Sequence, residues 1–285
     1  MKSIVILYHS DCPDGFGAAF AAWKRFRNRA DYFAISHGMP PLPGLRGKEI
    51  YLVDIAYPAP VLKKLRAVNK RVLVIDHHES VRETVISQPE YVYDDEHSGA
   101  YLAWRYFHPG ARVPLFLRYV EDMDYWRFDR PYALEIISAL GLEGFDFKRW
   151  DRFARELERP RTKRAIVERG RIVKQNEDRL IERIIQFNAE LVQFLGRKIF
   201  VVNSPIFESE IPNRLIEKHP PMAIVWRVRN GMKTFSIRTD GTVNAAEVAA
   251  KFGGGGHPRS AGFALPLEAP FPWTWLKKWK PTKGA

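Results

Sequence analysis

Residues 76–78, Asp76-His77-His78, close an unbroken apolar run, Val72-Leu73-Val74-Ile75. An acid and two imidazoles at one point of the chain can bind a metal ion. The four β-favouring residues ahead of them read as a buried parallel strand, which delivers polar groups at its carboxyl end, where open α/β sheets place ligand sites. Adjacent residues of an extended chain point to opposite faces, so His77 and His78 are expected to have different tasks, one as a ligand and the other facing a substrate. Taken alone, the string also suits a polar loop after a strand, and further ligands have to decide.

Two earlier strands supply them. Residues 3–8 run into His9-Ser10-Asp11-Cys12-Pro13-Asp14-Gly15, where His9, Asp11 and Asp14 fall within six residues. That is dense for hard-cation ligands, although Asp and Gly around Pro are also ordinary turn chemistry. Cys12 reads as a small packing residue. The small, Ala-rich stretch that follows predicts a helix packed closely on the sheet. Residues 50–53 end at Asp54, and Pro58 then opens a helix through Val61, Leu62 and Leu65. Three successive strands that end in carboxylates or imidazoles, with helix-length segments between, predict a parallel α/β domain with its ligands at one edge. Farther on, Ser98-Gly99-Ala100 opens another helix, and residues 115–124 form one that ends in Glu121, Asp122 and Asp124. Acids at a helix carboxyl end oppose the macrodipole, which predicts a cation nearby.

The elements that must carry this edge are followed by a different kind of chain. Residues 161–195 show a charged helical pattern with Ile166, Val173, Leu180, Phe187 and Phe194 at sevenfold spacing, and Ile184 and Leu191 beside them. This predicts a long connecting helix that packs on a domain or on another subunit, compatible with a homodimer. After Gly196 come strands at 198–202, 223–228 and 234–238, helices at 209–218 and 244–252, and a tight hairpin at Asn230-Gly231. Gly253-Gly254-Gly255-Gly256-His257-Pro258-Arg259 then reads as a backbone nest for phosphate or carboxylate, because four glycines allow close backbone approach. The tail carries Trp273, Trp275 and Trp279 among lysines. Stacking on bases is one reading; docking of the terminus onto the protein is the commoner one.

At 285 residues the chain has room for two medium domains. A single cysteine excludes an intrachain disulfide and predicts a reducing, cytoplasmic setting without thiolate metal sites. The strand-like start and the absence of eighteen consecutive apolar residues predict neither signal peptide nor membrane span. Of the net charge of +12, much lies in residues 148–198, with fifteen Lys or Arg against eight Asp or Glu, and in a tail with no acid after Glu268. A basic hinge and tail beside a near-neutral body suit a partner with phosphates.

Taken together, the His9 to Gly15 motif, Asp54 after a strand, Asp76-His77-His78, Asp122 and the glycine run ending in His257 resemble the DHH phosphoesterase family with its DHH-associated carboxyl-terminal domain. The resemblance spans nearly the whole chain and keeps the family's motif order. Many members have His, about two residues, then Asp-x-Asp; here Asp11 and Asp14 stand one residue farther apart. The expected organisation is a parallel-sheet DHH domain over 1–160, a connecting helix over 161–196, a smaller α/β domain with a mixed sheet over 197–268 and a basic, Trp-rich tail over 269–285. The resemblance implies two divalent cations. Mn²⁺ is favoured by an oxygen-rich ligand set with some imidazole, and Mg²⁺ is the other choice. One ion would be held by His9, Asp11 and Asp54, the other by Asp14, Asp54, His77 and Asp122, with Asp54 bridging. Asp76 would orient an imidazole, and His78 would touch the scissile phosphate or protonate the leaving oxygen. Gly254, Gly255, Gly256, His257 and Arg238 would hold the far end of a substrate. The implied activity is hydrolysis of short oligoribonucleotides or linear dinucleotides to mononucleotides, by a hydroxide that the two ions activate. A 3′-phosphoadenosine 5′-phosphate phosphatase, a cyclic-dinucleotide phosphodiesterase and a non-catalytic RNA-binding module are the alternatives.

Overall fold

The computed structural model describes residues 1–36, 38–229 and 231–278. Asn230 of the expected turn and Trp279, Lys280 and Lys283 of the tail lie outside the described residues. The chain divides into two compact units, Met1–Lys174 and Gln175–Ala285.

The first unit contains β1 (Ile4–His9), α1 (Pro13–Phe26), β2 (Ala30–Ile35), β3 (Glu49–Val53), α2 (Ala59–Val68), β4 (Arg71–Asp76), α3 (Arg82–Ile86) and β5 (Tyr91–Tyr93). Helices α4 (Gly99–Phe107), α5 (Leu115–Asp124), α6 (Ala133–Gly141) and α7 (Phe147–Leu157) follow. The strands form one all-parallel sheet in the order β2-β1-β3-β4-β5. Alternate residues feed two separate cores, as the two-residue period of a strand requires. Ile6, Tyr51, Val53, Leu73 and Ile75 pack with α1, α4, α5 and α7, while Val5, Leu7, Ile50, Leu52, Val72 and Val74 pack with α2. A sheet covered on both faces explains the continuous apolar runs, each fully buried aliphatic side chain contributing roughly 1.5–3 kcal/mol. The expected strands, with the helices after the first two, are all present. β2, β5, α6 and α7 add to them.

A 29-residue helix, α8 (Pro160–Asn188), begins in the first unit and ends in the second. It is followed by β6 (Ala189–Phe194), β7 (Arg197–Asn203), α9 (Glu210–Lys218), β8 (Met222–Arg229), β9 (Met232–Thr239), α10 (Ala245–Ala250), β10 (Gly255–His257), β11 (Ser260–Pro266) and β12 (Thr274–Lys278). These strands form a mixed sheet, β10-β11-β9-β8-β7-β6-β12, in which only β7 and β8 pair in parallel. The helix expected over 161–195 therefore stops earlier. Leu191 and Phe194 belong to β6, which turns into β7 through Leu195 (φ 45) and Gly196 (φ 79). Two successive left-handed residues make the twist of a tight hairpin, and a helix cannot continue through them. The sevenfold stripe is buried at Ile166 but open at Leu180 and Phe187. Residues 274–278 of the expected tail join the sheet as β12, antiparallel to β6, and Trp273 is buried against Phe194 and Phe235. Among the described residues, no helix is long and apolar enough to cross a membrane.

Candidate metal centre

Because β1, β3 and β4 are neighbours in a parallel sheet, their carboxyl ends bring His9, Asp54 and Asp76-His77-His78 to one edge. Asp54 leaves β3 in a left-handed conformation (φ 59), its N–H donating to the carbonyl of Ile75 at 2.8 Å. Few non-glycine residues adopt that conformation, and its strain of order 1–3 kcal/mol needs support from its surroundings. The first turn of α1 contributes Asp14. The start of α4 closes over both acids: Ala100 N–H donates to Asp14 Oδ1 at 3.0 Å. A β-carbon on Gly99 would lie 2.7 Å from Asp54 Cβ and 2.9 Å from Asp14 Oδ2. The glycine is needed for that approach. Gly99→Val is expected to displace both carboxylates and weaken divalent-ion binding at least about tenfold, as disturbed supporting shells do; isothermal titration with Mn²⁺ beside a thermal melt checks this.

His77 Nε2 stands 3.2 Å from Asp54 Oδ1, 3.6 Å from Asp124 Oδ2 and 3.7 Å from Asp14 Oδ2. The other oxygen of Asp54, Oδ2, lies 3.5 Å from His9 Nδ1. One carboxylate thus faces two imidazoles with its two oxygens. Tyr125 donates its O–H to the carbonyl of Asp95 at 2.7 Å, so at 3.3 Å its oxygen takes the Nδ1 proton of His77 and leaves Nε2 turned to the carboxylates. Asp76 Oδ1 accepts the N–H groups of His77 and His78 and pairs with His78 Nδ1 at 2.7 Å. Asp76 therefore orients His78.

The charges do not balance among themselves. Burial raises the Asp14 carboxyl well above the usual carboxylate range, and the charges of Asp54 and Asp124 add to it. Burial raises Asp124 too, against the pull of His77. At Asp54 burial acts upward, but His77, His9 and His78 outweigh it and hold the carboxyl well below its ordinary value. The imidazoles show the reverse. Burial lowers them, yet Asp54, Asp124 and Asp14 hold His77 up at about 10, and Asp76 and Asp54 hold His78 up at about 9. The cluster thus favours bound protons on Asp14, Asp124, His77 and His78, positions that a divalent ion would compete for.

The donor set fits divalent ions. Both oxygens of Asp54, Oδ2 of Asp14 and Oδ2 of Asp76 are buried without a hydrogen bond, an arrangement that costs about 1–3 kcal/mol per group. Candidate ligand atoms within 4.8 Å of one another gather as Asp14-His77-Asp124, as Asp54-Asp76-His78 and as His9-Cys12-Asp54.

Two expected ligands lie elsewhere. Asp122 is replaced in the cluster by Asp124: residues two apart on a helix are turned by about 200° around its axis, and Asp122 Oδ2 accepts the N–H of Arg130 at 3.2 Å. The third acid of that terminus, Glu121, pairs with His97 at 2.8 Å. Asp124→Asn should therefore cost an ion and activity, whereas Asp122→Asn should leave metal content unchanged; elemental analysis after dialysis separates them. Asp11 sits on an exposed left-handed turn (φ 53) and joins none of these groups among the described residues. The extra residue between Asp11 and Asp14 is taken up by that turn.

In the second unit the glycine run is not an open nest over its whole length. Gly254 N–H donates to Ala249 O and Gly253 N–H to Ala250 O, with Gly253 left-handed (φ 77). This is the double bond that ends a helix on a glycine, so those two amides are used. Gly254 and Gly256 also pack backbone to backbone, where added β-carbons would overlap Gly262 O and Ser260 O. Gly255, Gly256 and His257 form β10, the outer strand of the sheet. Arg238, on β9, donates to Ser209 Oγ at 2.5 Å.

No protein-family model matches the chain. The Uncharacterized protein R106 of Acanthamoeba polyphaga mimivirus is 30% identical over 286 residues, covering 92% of this chain and 67% of that protein. Oligoribonuclease NrnB of Bacillus subtilis is 30% identical over 93 residues, 31% of this chain and 23% of NrnB. The assembled residues agree with the resemblance of this chain to the DHH phosphoesterase family. Among solved structures, RecJ of Thermus thermophilus in complex with Mn²⁺ matches this chain at a TM-score of 0.49 and 16% identity, over 92% of this chain and 49% of RecJ.

Proposed function

We propose that the protein is a metal-dependent phosphodiesterase that hydrolyses short oligoribonucleotides or linear dinucleotides to mononucleotides. The observation that carries this is the gathering of Asp14, Asp54, His77 and Asp124, with His9 on the other side of Asp54, around buried carboxylate oxygens that lack hydrogen bonds. Asp54 would bridge two subsites, with His9 on one side and Asp14, His77 and Asp124 on the other. Divalent ions there, Mn²⁺ foremost, supply a water made acidic enough to attack at neutral pH and positive charge for the transition state. The protein's own part is positional: Tyr125 and Asp76 fix the faces of His77 and His78, and His78, held by Asp76 through Nδ1, is placed to contact the scissile phosphate or protonate the leaving oxygen. The likeness to NrnB, an oligoribonuclease by name, supports the substrate class, and the basic segments favour a phosphate-rich ligand.

The test is a panel of end-labelled RNAs from dinucleotide to long oligomer, with 3′-phosphoadenosine 5′-phosphate and cyclic dinucleotides beside it. The expected result is Mn²⁺-dependent release of mononucleotides, fastest for the shortest chains. Binding of RNA without turnover of any phosphodiester would replace this reading by the RNA-binding module. Within it, Arg238, Gly255, Gly256 and His257 hold the far end of the substrate. His257→Ala is a cleaner probe than a change at Gly254 or Gly256, where a β-carbon disturbs the sheet. It is expected to raise KM for dinucleotides while a minimal chromogenic phosphodiester is cut at nearly the wild-type rate. Equal losses on both substrates in steady-state kinetics would place His257 in the chemical step.

A further inference from the structure

We propose that Cys12 is a ligand of this metal centre, binding as a thiolate on the side shared by His9 and Asp54, and that it biases that subsite toward softer ions such as Zn²⁺ or Co²⁺ over Mg²⁺. The inference rests on the metal-centre reading and refines it. Cys12 Sγ, a nitrogen of His9 and an oxygen of Asp54 lie within 4.8 Å of one another, whereas Asp11, the carboxylate that the sequence offers for this side, joins no such group among the described residues. Asp54 Oδ2, in a residue of 0% exposure, has no hydrogen bond there although it is 3.5 Å from His9 Nδ1. A buried carboxylate oxygen left in that condition points independently to a cation.

The backbone leaves the thiol available. Cys12 precedes α1 with an extended conformation (φ −127, ψ 126) and its side chain caps no helix N–H, while its carbonyl accepts from Phe16 N. A thiol that coordinates a divalent ion gives up its proton to solvent, and the sulfur takes one coordination position. Mixed sulfur, imidazole and carboxylate donors suit borderline ions, and the hard Mg²⁺ gains least from sulfur. A single cysteine rules out an all-thiolate site but not this mixed one.

Chelator-stripped wild-type protein titrated with Co²⁺ tests the proposal without any assay of turnover. The expected result is a thiolate-to-cobalt charge-transfer band in the near ultraviolet, together with protection of Cys12 from iodoacetamide, read by mass on the single cysteine. Cys12→Ser should retain the visible cobalt bands, lack the charge-transfer band and bind Co²⁺ at least about tenfold more weakly, the scale of a disturbed ligand shell. Cobalt that binds wild type without the near-ultraviolet band and leaves alkylation unchanged would overturn the role of Cys12 and leave the metal centre standing. Failure to bind cobalt, zinc or manganese at all would overturn both.

Discussion

Asp54→Asn is expected to abolish turnover and to lower bound metal more than a change at any other ligand. Its two carboxylate oxygens face His77 at 3.2 Å and His9 at 3.5 Å, so loss of one charge weakens both subsites. Asparagine is the proper replacement because it keeps the shape and tolerates the left-handed backbone at φ 59; alanine would add backbone strain to the loss of charge. The metal-free variant should be somewhat less stable than metal-free wild type at neutral pH, since His77, His9 and His78 hold the Asp54 carboxyl well below its ordinary value and lose that partner. Ligand stabilisation is the discriminating quantity. An ion present at a hundred times its Kd stabilises wild type by about 2.7 kcal/mol, and most of that should vanish in the variant. Thermal melts with and without Mn²⁺, beside elemental analysis, measure it. Near-wild-type activity with two bound ions would remove the bridging assignment.

His77→Ala and His78→Ala are expected to fail differently. His77 is fully buried among Asp14, Asp54 and Asp124, and its Nδ1 is engaged by Tyr125, so its removal should cost metal first and activity in consequence. His78 is tied to Asp76 and retains 18% side-chain exposure. Its loss should leave metal content near wild type and lower kcat by roughly 10²–10⁴-fold, the range for a group that transfers a proton. Restoring excess Mn²⁺ should partly rescue His77→Ala and leave His78→Ala unchanged. Equal metal loss in both would contradict the division of labour between adjacent histidines.

The different surroundings of His77 and His78 were legible from the strand before them, because an apolar run ending in Asp-His-His sets alternate side chains on opposite faces. The parallel sheet was legible for the same reason: β1, β3 and β4 each combine a continuous apolar run with a polar carboxyl end. β2 and β5 carry weaker signals, the first mixing Asp31 and Tyr32 into its run and the second only three residues long. The site residues that escaped sequence reasoning are set by tertiary contact. Asp124 and Asp122 share a helix terminus, and only the rotation of α5 against the sheet chooses between them. Gly99 reads as an ordinary helix start until the β-carbons of its neighbours are placed. Tyr125 carries no spacing signal beyond following Asp124. The connecting helix was overrun for a local reason, since Leu191 and Phe194 continue a sevenfold spacing by coincidence while alternating along β6. Four consecutive glycines suggest a nest, but Gly253 and Gly254 end the helix just upstream of them.

The central claim is that the carboxyl edge of the first sheet is a divalent-metal centre that hydrolyses phosphodiesters. The most direct measurement is turnover of a linear dinucleotide by chelator-stripped protein while Mn²⁺ is added back and bound metal is counted in the same samples. Activity should be absent without metal and should rise with the second bound ion, reaching its plateau at two per chain. Full turnover in the presence of chelator, or two bound ions with no turnover of any phosphodiester, would contradict it.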